Sequence, residues 1–185
     1  MMKRVVITGI GVVSSIGLGA NGFMNALRNG KSGISKIKAF DTTGFQSDQG
    51  GEVHDVEPKE WIRRLDATTI GRSSHFSIGA ARLAIEDSGI DPRTLSMTRC
   101  GVTVGTTDGE SQAIEYLTKQ WIDSGPENLD ISVIRQVPAD RLAVSVAREF
   151  ALRGEAVTLA TACAAGNYAI GHAYDMLRAG EADFM

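Results

Sequence analysis

Apolar positions along the chain switch between short β-branched runs and longer stretches with helical spacing. Arg4 to Ile10 is β-branched and bounded by glycines, which predicts a buried strand. Asn21 to Arg28 predicts a short helix ended by Asn29-Gly30, and the glycine-punctuated stretch Lys31 to Pro58 predicts loop. From about Thr68 to Ser88, Ile78, Ala81 and Ile85 share a helix face, with Gly89 at the C-terminal cap position. Gly101 to Gly105 is a second strand. Thr107 and Glu110 have capping-box spacing and open a helix whose Ile114, Leu117 and Trp121 share a face, ended by Gly125-Pro126. Pro138 and Asp140 start another helix, with Leu142, Val146 and Phe150 at four-residue spacing. Ala156 to Ala160 is a third strand, Ala164 to Ala179 a mostly uncharged helix, and Ala182-Asp183-Phe184-Met185 the opening of a fourth strand. Strands alternating with helices predict an α/β architecture around a largely parallel or mixed buried sheet. There are no repeats, low-complexity segments or internal linkers, and an ending inside a strand suggests part of a longer protein.

Composition narrows the function. Across 185 residues, Lys+Arg 19 against Asp+Glu 22 leaves a net charge of -3, which gives no basic stripe for nucleic acid. Hydrophobic residues at 43% and charged residues at 22% fit a globular core. Two cysteines, Cys100 and Cys163, are too few for a disulfide scaffold and fit a reducing compartment. The apolar run after Lys3-Arg4 is too short for a signal peptide. The longest uncharged stretch, Ala156 to Tyr174, carries hydroxyls, glycines and an amide, a poor membrane span. It reads instead as a strand and helix buried in the fold. A cytoplasmic protein without membrane contact is expected.

Several motif matches fail on their context. Gly9-Ile10-Gly11-Val12-Val13-Ser14 follows a strand, but Ser14 replaces the third glycine of a dinucleotide fingerprint, and no acidic residue closes a second strand. A tight glycine turn is the expectation there. Gly30-Lys31-Ser32 echoes a P-loop end, yet Asn25 stands where the leading glycine belongs. His54, His75 and His172 have no metal-ligand spacing, so no metal is expected, and His172 reads as a satisfied buried side chain.

The informative stretch is Thr158-Leu159-Ala160-Thr161-Ala162-Cys163-Ala164-Ala165-Gly166-Asn167. It puts a cysteine between a strand and a helix of small residues. A helix N-terminus favours the thiolate, the nucleophilic form, and its free N–H groups suit an oxyanion. Small neighbours leave room for a substrate. On the residues alone a buried structural cysteine remains equally open.

Thr161-Ala162-Cys163 with Gly166 resembles the nucleophile motif of the β-ketoacyl-acyl carrier protein synthases, the elongating condensing enzymes, and is synthase II-like. Arg4 to Gly11, Gly33-Ile34-Ser35, Phe40-Asp41-Thr42-Thr43, Ala84 to Gly89 and Leu152-Arg153-Gly154 are similar to further family landmarks in the same order. The resemblance implies a thiolase-like fold, two α/β halves in αβαβα layers, with residues 1–185 as the N-terminal half. It implies Cys163 as nucleophile, with its backbone N–H in the oxyanion hole. The implied reaction transfers an acyl group from acyl carrier protein to Cys163, then condenses it with malonyl-carrier by decarboxylation, in fatty-acid or polyketide synthesis. No cofactor is implied. The expected assembly is a homodimer, or a dimer with a related synthase subunit.

In the family the remaining histidines and lysine come from the second half, so these residues alone are expected not to condense. Arg63 and Arg64 match a basic pair implied to bind the carrier. Two stretches depart from the pattern. Gly105-Thr106-Thr107-Asp108-Gly109-Glu110 puts Asp108 where an apolar side chain often borders the acyl pocket, making it a candidate substrate-binding residue. Glu127-Asn128 stands where relatives often carry basic residues. Both leave fatty-acid and specialised polyketide elongation open. The rivals are a non-catalytic chain-length-factor-like partner, against which Cys163 argues, and a thiolase-type enzyme using coenzyme A thioesters.

Overall fold

The computed structural model describes residues 4–54 and 56–185. In chain order its elements begin with β1 (Val13–Ser14) and β2 (Gly17–Leu18), an antiparallel pair, followed by α1 (Gly19–Arg28). A second antiparallel pair, β3 (Ser35–Lys36) and β4 (Gln49–Gly50), lies in the stretch expected to be loop. Then come α2 (Pro58–Trp61), a 3₁₀ turn at Ala67–Thr69, α3 (Arg72–Ser88) and α4 (Pro92–Met97). The remainder is β5 (Val102–Gly105), α5 (Ser111–Ser124), α6 (Ile131–Ile134), α7 (Arg141–Glu149), β6 (Ala156–Leu159) and α8 (Ala165–Ala179).

β5 and β6 pair in parallel, from Val102 against Ala156 to Gly105 against Leu159. On the other side of β5, Phe184 bridges Cys100 in parallel, and Gly101 N–H donates to the Phe184 carbonyl at 3.0 Å. The expected fourth strand is therefore present as a single bridge, reinforced by an Arg99–Asp183 ion pair at 2.6 Å. Side chains alternate across β5. Val102 packs into the core of Trp61, Ile62, Ile70, Ile78, Val146 and Phe150, on the side of α3 and α7. Thr103 turns the other way and donates to the Ala169 carbonyl of α8 at 2.9 Å. The sheet thus separates an α3–α7 layer from α8.

Further expectations change. Arg4 to Ile10 forms no strand ladder among the described residues, and Val6 and Ile7 are 71% and 82% exposed. A β-branched segment is buried only when both its faces are covered, and α3 covers one. The Gly9-to-Ser14 stretch is not a tight turn at its glycines: a Cβ at Gly9 or Gly11 would collide with the Ala84 or Ala80 carbonyl. Those glycines let the backbone lie against α3. The capping box also fails, because α5 starts only at Ser111 and Glu110 makes no cap bond to it. Last, α8 buries only Ala165 and Ala169 and leaves Tyr168 and Ile170 exposed, so Ala156 to Tyr174 is not fully interior.

Two buried carboxylates tie the α3–α7 layer together. Glu110 accepts from Ser73 N–H at 2.9 Å and from Ser74 N–H and Oγ at 2.8 and 2.7 Å, capping α3 from 36 residues away. Glu149 accepts from the backbone N–H groups of Arg63, Arg64 and Leu65 at 2.8, 3.0 and 3.1 Å. It also pairs with the Arg82 guanidinium at 2.6 Å. Arg82 in turn donates to the Trp61 carbonyl and lies over the Phe150 ring.

Candidate active site

Parallel pairing brings the C-terminal ends of β5 and β6 to one edge of the sheet, where ligands of open α/β sheets bind. Two segments leave that edge. One runs from Thr106 through Asp108 and Gly109, and the other from Ala160 to Cys163. Thr106 N–H donates to the Leu159 carbonyl at 3.1 Å and holds them side by side. Close approach of α8 to β5 depends on Gly105, where a Cβ would collide with the Ala165 carbonyl.

Cys163 sits in a single 3₁₀ turn, Ala162–Ala164, that feeds directly into α8. The turn uses the N–H groups of Ala164 and Ala165, which donate to Thr161 and Ala162, not that of Cys163. Ala162 has φ 48°, the left-handed region that costs a residue with a Cβ about 1 kcal/mol or more. The strained link throws the next side chain outward, and Cys163 is exposed. It thus combines access, small neighbours and a helix N-terminus.

Cys100 is its opposite. It is 4% exposed, and burial pushes its thiol up to about 11. Both cysteines are free.

Asp108 is exposed at the same sheet edge, and its Oδ2 accepts from Ser111 Oγ at 3.2 Å at the start of α5. Arg63 and Arg64 lie elsewhere, exposed on the α3–α7 side and positioned through their backbone by Glu149. The histidines are not gathered. His75 bonds the Ala67 carbonyl at 2.9 Å, and His54 lies 3.4 Å from Glu52. His172 is not the satisfied side chain expected: Glu155 is 3.6 Å from its Nε2, beyond hydrogen-bond reach. Among the described residues no group of three His, Cys, Asp or Glu could hold a metal ion, and no helix is long and apolar enough to cross a membrane.

Sequence reading placed Glu110 in a local cap where it caps α3 instead, and missed Glu149. An isolated glutamate in an apolar frame was the available signal, since Glu149 follows Val146 on a face otherwise buried.

Comparison with known proteins agrees with this geometry. Residues 2–185 match the family described as "Beta-ketoacyl synthase, N-terminal domain". A 3-oxoacyl-[acyl-carrier-protein] synthase 2 from Vibrio cholerae serotype O1 is 32% identical over 183 residues, 99% of this chain and 44% of that protein. The solved ishigamide ketosynthase/chain length factor superposes with a TM-score of 0.94 at 42% identity, covering 99% of this chain and 46% of that one. A type II polyketide synthase acyl-carrier protein in complex with its ketosynthase bound to the hexaketide gives a TM-score of 0.78 at 29% identity, covering 99% and 44%. The fold is therefore that of the thiolase-like condensing enzymes. The chain belongs to the β-ketoacyl synthase family, and it spans a little under half the length of the relatives it matches.

Proposed function

We propose that these residues are the N-terminal half of a β-ketoacyl-acyl carrier protein synthase and supply its nucleophile, Cys163. The observation that carries this is the exposed thiol on a strained turn between β6 and α8, in a chain of this family. The Cys163 thiolate attacks the thioester carbon of an acyl-carrier. The carrier's thiolate leaves and takes up a proton, and the acyl group stays on sulfur. The uncommitted Cys163 N–H, at the helix start, donates to the oxyanion of the tetrahedral intermediate. A malonyl-carrier then loses carbon dioxide, and its enolate carbon attacks the acyl carbon. The new C–C bond forms as the C–S bond breaks, and Cys163 is released as thiolate.

Asp108 leaves the same sheet edge as Cys163, which supports a place at the acyl-pocket rim. Arg63 and Arg64, exposed and with their backbone held by Glu149, suit an acidic carrier. The ishigamide neighbour, a ketosynthase/chain length factor pair, supports assembly with a related subunit or a second copy. The exposed Tyr168 and Ile170 of α8 and Val6 and Ile7 give further chain or a partner something to cover.

The test is intact-mass analysis of the full-length protein after mixing with octanoyl-loaded acyl carrier protein. Octanoylation that maps to Cys163 and disappears in Cys163→Ala is expected. Stable acylation of Cys163→Ala, or none in the parent, overturns the reading.

A further inference from the structure

The edge of α7 beside Arg64 carries a second basic feature. Arg141, Ser145 and Arg148 recur at helical spacing and, with Arg64, line one open cavity whose rim also includes Asp66. Leu142, Val146 and Glu149 lie on the adjacent face and are buried, as is Ser145, while Arg148 is exposed and Arg141 half-buried. Because Glu149 grips the Arg64 backbone, one helix brings two arginines to the cavity and fixes a third beside them. Among the described residues, Arg64, Arg141 and Arg148 form no ion pair, and Arg141 Nε is shielded from solvent without a hydrogen-bond partner. Asp66 offsets only one of the three charges: the Thr68 N–H and hydroxyl donate to its Oδ1 at 2.9 and 2.8 Å and hold its carboxyl below the usual carboxylate range.

Three like charges gathered in a chain of net charge -3, with one guanidinium nitrogen lacking a partner, describe an oxyanion seat. We propose that this cavity receives a carboxylate side chain of the acyl carrier, so that Arg141 and Arg148 extend recognition beyond Arg63 and Arg64. The assignment rests on the carrier-dependent reading above. A single carboxylate suits the seat better than a phosphate dianion, which would meet Asp66 at the rim. Continuity through Arg64 with the Arg63–Arg64 pair favours one extended partner surface.

Calorimetric titration of full-length protein with acyl carrier protein reads the seat without turnover. The double variant Arg141→Gln, Arg148→Gln is expected to weaken binding about tenfold, while acylation of Cys163 by octanoyl-N-acetylcysteamine keeps the parent rate. Each single variant should give part of that loss. Unchanged carrier affinity in the double variant overturns the proposal, as does an equal loss with the small thioester, which signals damage to the fold. Inorganic phosphate weakening carrier binding more than chloride of equal ionic strength reassigns the seat to free phosphate and also overturns it. Failure of the parent to acylate Cys163 while the double variant still loses carrier affinity sinks the synthase reading instead.

Discussion

Glu110, in the loop after β5, closes the first turn of α3 by accepting from both the N–H and the hydroxyl of Ser74. The N-cap of α3 is Gly71, which has no side chain to offer, and a Cβ there would collide with the Glu110 carboxylate. The cap is therefore tertiary, and it anchors the segment carrying Asp108 and Gly109 to the core helix.

Removing that carboxylate leaves buried donors without partners. Glu110→Ala is expected to cost about 2–4 kcal/mol in urea unfolding of the full-length protein. Gly71→Ala should cost a similar amount by expelling the same carboxylate. The two losses should be far from additive, because either change removes one shared interaction. Additive losses would show that Gly71 and Glu110 act independently.

This contact also marks where sequence reading reached its limit. Most local signals held. Gly89 closes α3 with φ 67°, and Gly30 closes α1 with φ 63°, which removes the P-loop echo. The β5 and β6 runs, the helical faces of α3 and α7, and Cys163 before α8 were legible from spacing, whereas the face expected on α5 leaves Ile114 and Trp121 exposed and buries Ala113 instead. Long-range polar contacts were not legible. Thr107 and Glu110 have the spacing of a local cap, yet Glu110 satisfies a helix 36 residues upstream, and no periodicity encodes that choice. Gly9 and Gly11 likewise read as a turn because close approach to α3 leaves no mark of its own in sequence. Glu149, which fixes the backbone of Arg63 and Arg64, carries no local signal of that role.

The two cysteines should separate by pH. Iodoacetamide at pH 8 should label Cys163 and spare Cys100, which is buried and whose thiol is pushed up to about 11. The ordinary thiol value lies near 9, so Cys100 favours the fold fully below that pH. The contribution is then lost as pH rises through about 11, where the thiolate forms in the folded protein too. Cys100→Ala should flatten the alkaline fall in stability between those values. Preferential labelling of Cys100 at pH 8 would remove Cys163 as the reactive thiol.

Ala162 stores strain immediately before the nucleophile. Ala162→Gly relieves the positive φ in the folded state but frees the unfolded chain, so the net stability change should stay within about 1 kcal/mol. Its effect should fall on chemistry. With the link loosened, Cys163 is held less firmly at the start of α8, and octanoylation should slow roughly tenfold or more with carrier affinity unchanged. A parent-like acylation rate would show that the left-handed link does not orient the thiol.

Asp108 offers the test of substrate choice. It is exposed, leaves the same sheet edge as Cys163, and makes one 3.2 Å contact with the Ser111 hydroxyl. Ahead of α5 its charge favours the helix dipole, but it caps none of the α5 backbone N–H groups through that contact. A change there should therefore cost little stability, within about 0.5 kcal/mol for Asp108→Ile in the full-length protein. A carboxylate at the pocket rim disfavours an apolar chain passing beside it, because its solvation would be stripped. Asp108→Ile should then speed acylation of Cys163 by plain saturated acyl-carriers relative to unsaturated or polar ones. Competition between octanoyl-carrier and a hydroxylated acyl-carrier, read by intact mass, gives that ratio directly. A loss near 1 kcal/mol with an unaltered ranking would make Asp108 a helix-start residue. Unchanged ratios without loss of stability would leave it a solvated surface side chain with no part in the site.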